Sequence, residues 1–359
     1  MERILSHSGM NPPLISICLP NLNTRPFLEE RMETILAQTF TDWELIVCDS
    51  HSDDGSWEFF QKFAGDPRIR LHQVPREGIY AGWNECLKRA RGRYLYIATS
   101  DDTAQPKLLE RLLTPLTINP SIRIAVCDYQ VIDDESRPME PLAQDKPRLF
   151  LGKWMNQPCL RPRLTEFVLH CCFGTIWGTM AAVLFEHSLL KQVGLFRADR
   201  GSAADIEWTL RATLASDVAF VPERLATWRV HPNQATKHGS LSWRFLRTML
   251  ASFDSVLHDP NAELPPEWRT IPDWDRELTK VWQLEYRDSF HLDRRAAREN
   301  PTQFLTNCWE ALRLKPDLFF SQLARGFAWR KEFSPDRVAR AQELIDLFHV
   351  PWPPKKAAW

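Results

Sequence analysis

The sequence predicts an α/β fold: a mixed, mainly parallel sheet flanked by helices and followed by a helical C-terminal extension. Short apolar runs alternate with amphipathic segments from Ile15 to Cys127, the pattern of right-handed βαβ crossovers. Beyond Gly239 such runs cease, and Trp, Leu and Phe recur at helical spacing. Polar clusters follow each of the first four apolar runs, and an open sheet gathers its ligands at the carboxyl ends of its strands.

Taken in order, Ile15–Leu19 is the first strand, and Phe27, Leu28, Met32, Ile35 and Leu36 outline the helix after it. Glu44–Cys48 is the second strand, with a helix near Trp57–Phe63. Ile69–Val74 is the third, and Trp83, Leu87 and Ala90 mark its helix. Tyr94–Ala98 and Ile122–Cys127 are further strands. Between them Pro106 opens a helix, where a first-turn proline gives up no hydrogen bond. Residues 135–165, rich in Pro, Arg and Lys, lack periodicity and read as a long loop beside the site. Leu189–Val193 is a short helix stopped by Gly194, and Ile206, Leu210, Thr213 and Leu214 give another. In the extension, Trp243, Leu246, Leu250 and Phe253 form one helical stripe, and Phe304, Cys308, Trp309 and Leu312 a second. The resulting division is residues 1–239 and residues 240–359.

With 359 residues, 44% hydrophobic and 25% charged, the chain can bury a sizeable core. Lys+Arg 45 against Asp+Glu 46 leaves a net charge of −1, so no overall field favours nucleic acid. The 8 cysteines form no Cys-x-x-Cys pair and several sit in apolar runs, which reads as buried thiols in a reducing compartment. The first thirteen residues carry no signal-peptide pattern, and no apolar stretch reaches ~18 residues. The expectation is a cytoplasmic protein. Trp243-Arg244-Phe245-Leu246-Arg247 mixes basic and aromatic residues, which suits attachment to the inner face of a membrane and equally a buried helix. The same helices offer a surface for homodimerisation.

The four polar clusters are Pro20-Asn21-Leu22-Asn23, Asp49–Ser56, Arg76-Glu77-Gly78 and Ser100-Asp101-Asp102. Adjacent carboxylates repel, so an acidic pair asks for a cation or for solvent. Mg²⁺ or Mn²⁺ takes oxygen ligands and shares them with substrate phosphates, so such a pair at a strand end suits a metal–diphosphate. Each cluster alone is more simply a solvated turn capping the next helix. Four on one rim point to a site.

Those clusters carry a resemblance. Ile15–Asn23, Ile35-Leu36-Ala37-Gln38-Thr39-Phe40, the Asp49–Ser56 turn, Gly78–Asn84, Ala90–Tyr94 and Ser100-Asp101-Asp102 follow one another in this order. In that order they resemble the nucleotide-sugar domain of the family-2, GT-A-type inverting glycosyltransferases. The resemblance implies a GT-A fold and transfer of a sugar from a UDP- or dTDP-sugar to a glycan or lipid-linked acceptor, in cell-surface polysaccharide or glycan synthesis. It implies that Pro20, Asn21, Asn23 and Asp49 frame the base and ribose, and that Arg76, Gly78 and Asn84 lie near the uridine or diphosphate. Asp101 and Asp102 would hold Mn²⁺ or Mg²⁺, with Asp101 also at the donor. The family's acidic motif reads Asp-x-Asp-Asp, whereas this chain has Thr99 first, and His51 stands where glycine is usual.

Further on, Gly178-Thr179-Met180 and Val193-Gly194-Leu195-Phe196 resemble the acceptor-side segment. Ala204-Asp205-Ile206-Glu207-Trp208 resembles the family's Glu-Asp motif, whose aspartate is the general base, with Ala204 in place of the glutamate. Asp205 is therefore the expected base and Glu207 the reserve. An N-cap role for Asp205 is compatible with both. Trp228–Thr236 resembles the closing motif, which makes His231 a metal or diphosphate ligand and Arg229 a phosphate partner. Of 15 tryptophans most sit at core spacing, and Trp154 and Trp177 are the ones placed to meet an acceptor. Thr99 and Ala204 also motivate a second reading, a non-catalytic nucleotide-sugar-binding protein with a degenerate site. A dinucleotide-binding enzyme would need Gly-x-Gly-x-x-Gly after the first strand, and the chain has no Gly-x-Gly.

Overall fold

The computed structural model describes residues 12–140, 146–232, 234, 243–289, 294–317, 319–320 and 336–359. The boundary expected between residues 239 and 240 lies outside them, as do Asn233, Ala235 and Thr236 of the closing motif and the first eleven residues.

Strands β1 (Ile15–Asn21), β2 (Trp43–Asp49), β3 (Ile69–Gln73) and β4 (Tyr94–Ile97) alternate with helices α1 (Leu28–Leu36), α2 (Ser56–Gln61) and α3 (Ile79–Arg89). They pair in parallel. Every residue of β1 and β2 is buried, which is why these strands read as unbroken apolar runs. Cys18, Ile46 and Cys48 face one layer of helices, whereas Ile17, Leu19 and Val47 face α1, α2 and α4 (Leu108–Ile118) on the other side. Between α3 and β4, Gly92 lies so close to β1 that a Cβ would come within 2.6 Å of the Ser16 nitrogen.

After α4 comes β5 (Ile124–Ile132). Residues 135–165, expected as a loop, contain helix α5 (Lys146–Leu151) and strand β6 (Cys159–Arg161). Helix α6 (Arg163–Phe173), strand β7 (Val183–Glu186), α7 (Leu189–Val193), α8 (Ala204–Ala215) and β8 (Val218–Arg229) follow. The later elements are α9 (Trp243–Leu257), α10 (Trp274–Ser289), α11 (Arg294–Glu299), α12 (Pro301–Leu314), α13 (Arg337–Leu347) and a short strand, β9 (Lys355–Lys356). Strands therefore do not end with β8. Strand β9 pairs with β6 and completes a 9-stranded sheet in the order β3-β2-β1-β4-β7-β5-β8-β6-β9. Strands β6 and β7 run against the rest, and β5 and β8 are parallel, so the sheet is mainly parallel as expected.

Helices α9, α10 and α13 share one hydrophobic cluster with α3, α6 and α8, through Met249, Phe253, Trp282 and Leu344. Trp282 donates its indole N–H to the Cys171 carbonyl at 2.7 Å, and Trp268 donates to Phe348 at 3.2 Å. These tryptophans are core residues. All eight cysteines are free thiols, and all but Cys308 are buried. Among the described residues no helix is long and apolar enough to cross a membrane.

Candidate active site

Two loops at the ends of β1 and β2 are locked together. Asn21 and Asp49 are register partners, and the Asn21 amide donates to Asp49 at 2.7 Å. Ser52 donates its backbone N–H and hydroxyl to the same carboxylate at 2.9 and 2.6 Å. Asp49 is fully buried, and Pro20 lies beside it in the strand. Asn23, in left-handed backbone at φ 53°, exchanges hydrogen bonds with Asp53 at 2.8 and 3.0 Å. Arg76 is half-exposed and pairs with Asp53 at 3.8 Å. Gly78 opens α3 at φ 100°, with open space where a side chain would go. Asn23, Arg76 and Gly78 thus form the accessible edge, with Asn21 and Asp49 as its buried support.

Asn84 lies elsewhere. Its side chain donates to the Phe196 carbonyl at 2.8 Å and accepts the Phe196 N–H at 3.1 Å. The expectation that it contacts the donor gives way to a role fastening α3 to the loop before α8, because both its polar groups are engaged.

The acid turn follows β4 and is tied to β8. Thr103 donates its N–H to the Thr227 hydroxyl at 2.7 Å, and Ala104 bridges Ala226. Asp102 is buried, and its carboxylate accepts the Arg229 N–H at 2.7 Å, the Thr99 hydroxyl at 2.5 Å and the Thr179 hydroxyl at 3.4 Å. Burial, then the charge of Asp101, pushes its carboxyl up to about 7. Thr99 suits that place, since a third carboxylate there would face a buried acid. Asp101 remains partly exposed, its carboxylate 3.1 Å from Nε2 of His231. His231 rests on the Phe27 ring, with centroids 4.8 Å apart.

The residues fit a divalent cation through Asp101 and His231. Neighbouring ligands of an octahedral ion with bonds of ~2.1 Å stand about 3 Å apart, the separation these two atoms have. Asp102 turns its oxygens inward, so its expected role as a direct ligand is replaced by support of the turn. Among the described residues, the one group of three acids with mutually close oxygens is Asp133, Asp134 and Glu135. Arg137 engages both Asp133 and Glu135.

Arg229 also differs from expectation. Its guanidinium is 1% exposed and donates to Glu30 at 2.6 Å, the Asp101 carbonyl at 2.6 Å, the Asp133 carbonyl at 3.0 Å and the Ser136 hydroxyl at 2.8 Å. A guanidinium so used has no fork left for phosphate. It braces the turn.

Asp205 starts α8. Its carboxylate accepts the Ile206 N–H at 2.8 Å and hydrogen-bonds the Tyr80 hydroxyl, and burial raises its pKa above the usual carboxylate range. It lines a small cleft whose other walls include Thr175, Gly178, Thr179, Met180 and Thr209. Glu207, the reserve base, is buried and held by Arg211 at 2.7 and 2.9 Å, which removes it from that role. Trp177 lines the cleft, yet it is 2% exposed and donates its indole N–H to buried Glu166 at 2.9 Å. It is a wall support rather than a sugar platform. Trp154 is half-buried beneath Lys153 and lies outside the cleft lining. Thr179 belongs to Gly178-Thr179-Met180, the segment expected on the acceptor side, and Tyr80, within Gly78–Asn84, joins the site through its hydroxyl's hydrogen bond to Asp205.

Residues 16–185 match the sequence model described as "Glycosyl transferase family 2". EpsJ, an uncharacterized glycosyltransferase of Bacillus subtilis (strain 168), is 28% identical over 228 residues, 63% of this chain and 63% of EpsJ. This chain therefore spans less than two thirds of that relative's length. Among solved structures, S. aureus TarS 1-349 in complex with UDP-GlcNAc superposes with a TM-score of 0.62 at 14% identity, covering 93% of this chain and 91% of that one. Mannosyltransferase PcManGT from Pyrobaculum calidifontis, in complex with GDP-Man and Mn²⁺, gives a TM-score of 0.54 at 18% identity, covering 93% and 88%. These likenesses establish the shared α/β fold.

Proposed function

Residues 16–185 belong to glycosyl transferase family 2, and from that premise we propose that the chain transfers a sugar, with inversion, from a UDP- or dTDP-sugar to a glycan or lipid-linked acceptor. The observation that carries the reading is the position of Thr179. Its hydroxyl donates to Asp102 of the acid turn, and it also lines the cleft of Asp205. A metal-facing turn and a candidate base thus flank one small space.

In this reading Asn23, Arg76 and Gly78 receive the nucleoside at the accessible edge, over the support of Pro20, Asn21 and Asp49. Asp101 and His231 would hold Mn²⁺ or Mg²⁺, which when bound offsets the charge developing on the leaving diphosphate. Asp205 takes the proton from the acceptor hydroxyl while that oxygen bonds to the anomeric carbon, opposite the departing diphosphate. Its raised pKa makes it a stronger base than an exposed aspartate. Arg229 and Asp102 keep the turn in shape. Synthesis of a cell-surface polysaccharide is the setting this chemistry suits.

The test is release of sugar from a panel of nucleotide sugars with Mn²⁺, comparing wild type with Asp205→Asn. Loss of about 10²–10⁴ in turnover with UDP affinity within twofold supports the reading. Donor binding with no turnover in the wild type, and no effect of the substitution, would favour the non-catalytic alternative.

A further inference from the structure

Aromatic packing fixes where Tyr80 stands relative to Asp205. Tyr80, in the first turn of α3, is buried, and its ring meets Trp83 edge-on with centroids 4.9 Å apart. It also stacks on Phe196 at 6.1 Å and 22°. Phe196 in turn stacks on Trp208 of α8 at 4.8 Å and 24°. Trp208 lies one turn after Asp205 and donates its indole N–H to the Gly194 carbonyl at 3.1 Å. Phe196 is itself fastened, because its backbone N–H and carbonyl both bond to the Asn84 side chain. Helices α3 and α8 thus grip one ring, and the Tyr80 hydroxyl meets the Asp205 carboxylate.

Asp205 has few other groups to orient it. Its Oδ1 accepts the N–H of Ile206, the next residue of its own helix, at 2.8 Å. Across the cleft the wall is fixed: Trp177 donates to Glu166, and Gly178, at φ +75°, stands where a Cβ would come within 2.0 Å of the Tyr129 ring. The charged groups of the surrounding elements have other neighbours. Arg211 holds Glu207 at 2.7 Å, His170 lies 3.5 Å from Glu166 behind Trp177, and Arg200 approaches Asp199 at 3.9 Å. Asp102 lies beyond Thr179, and on α3 Glu85 pairs with Lys88 and Arg89. Among the described residues, Tyr80 is the one side chain that hydrogen-bonds the Asp205 carboxylate.

Resting on the glycosyl-transfer reading, we infer that Tyr80 is a positioning residue for the transfer, its hydroxyl aiming the Asp205 carboxylate and Asn84 securing its ring through Phe196. A carboxylate turns about two torsions, and a single backbone N–H engages only one of its oxygens. A second hydrogen bond, from another helix, holds the plane of the group and leaves lone pairs free to take a proton. The same hydrogen bond favours the charged form that a base needs. Tyr80 lies two residues after Gly78, so one helical turn carries both the nucleotide edge and the partner of the base.

Tyr80→Phe removes the hydroxyl and keeps the ring, so a purely structural tyrosine would lose little. UDP release from the panel of nucleotide sugars with Mn²⁺, followed from pH 5 to pH 9, is the measurement. Turnover should fall about tenfold or more, with UDP affinity within about twofold of wild type. The acid limb of kcat/KM should move up by about half a pH unit or more, since charged Asp205 has lost a hydrogen bond. Asn84→Ala, which frees Phe196 without touching the hydroxyl, should show part of both effects and carries the test if Tyr80→Phe does not fold. Wild-type turnover and an unmoved acid limb in these variants overturn the inference, and leave sugar transfer standing where Asp205→Asn loses turnover. No turnover in wild type, or full turnover in Asp205→Asn, overturns the underlying reading and this inference with it.

Discussion

The backbone N–H of Arg229 donates to Oδ1 of Asp102 at 2.7 Å, so the last residue of β8 and the second acid of the turn after β4 form one unit. The Arg229 side chain extends the unit to Glu30 of α1 and to the carbonyl of Asp133. Removing it leaves the Asp101 and Asp133 carbonyls without this donor. Arg229→Ala should cost about 3 kcal/mol in urea unfolding, much of it from unmet hydrogen bonds rather than from the half-exposed ion pair. Arg229→Lys should recover less than half of that, because one ammonium cannot reach three directions at once.

A second expectation concerns Asp102 and pH. Burial and Asp101 push its carboxyl up to about 7, against roughly 3.9 in the unfolded chain. Between these values the folded state holds a proton that the unfolded state has lost. This residue therefore makes stability fall as pH rises from about 4 to 7 and leaves it level above. Asp102→Asn keeps every contact, since the Thr99 and Thr179 hydroxyls can turn and accept from the amide. In cation-free buffer, the Tm of the variant should gain on wild type between pH 5 and pH 8. An unchanged difference across that range would mean the carboxyl titrates as usual.

Cation binding separates the two acids. In thermal-shift measurements, 1 mM Mn²⁺ with UDP should stabilise wild type and Asp102→Asn, through mass action on the folded state. Asp101→Asn should lose that response, and His231→Gln should need at least tenfold more Mn²⁺. Equal responses from Asp101→Asn and wild type would remove Asp101 from the ligand set.

The Gly178–Tyr129 contact gives a steric prediction. Gly178→Ala should destabilise by about 2–3 kcal/mol, from overpacking plus left-handed backbone strain. Adding Tyr129→Ala should relieve the overpacking while the strain persists. A double-mutant cycle in denaturant would therefore show a favourable coupling of at least about 1 kcal/mol.

What the sequence disclosed follows from chain locality. β1 to β4 and their helices were legible because each strand is a short apolar run and each connection is short. Helix α6 was not, since Glu166 and His170 are buried along with its apolar residues, so no polar face betrays the helical period. Strand β8 was hidden by Pro222-Glu223-Arg224 in its middle, where β5 shifts register to accommodate it. The accessible edge and the acids were legible because they sit at strand ends. The working state of Arg229, Asn84, Glu207 and Trp177 was not, because their partners are set by packing. Glu30 lies 199 positions from Arg229, and Phe196 lies 112 from Asn84. Residue type announces polarity; only the assembled fold says whether a polar group is still free.

The pairing of β9 with β6 bears on how the molecule is made. On the ribosome, β6 emerges long before residues 355–356, so its outer row of N–H and C=O groups stays open while the intervening helices are synthesised. An unpaired edge of that kind is a template for misjoined strands between neighbouring nascent chains. The finished sheet presents no such edge at β6, because β9 takes up its outer hydrogen bonds.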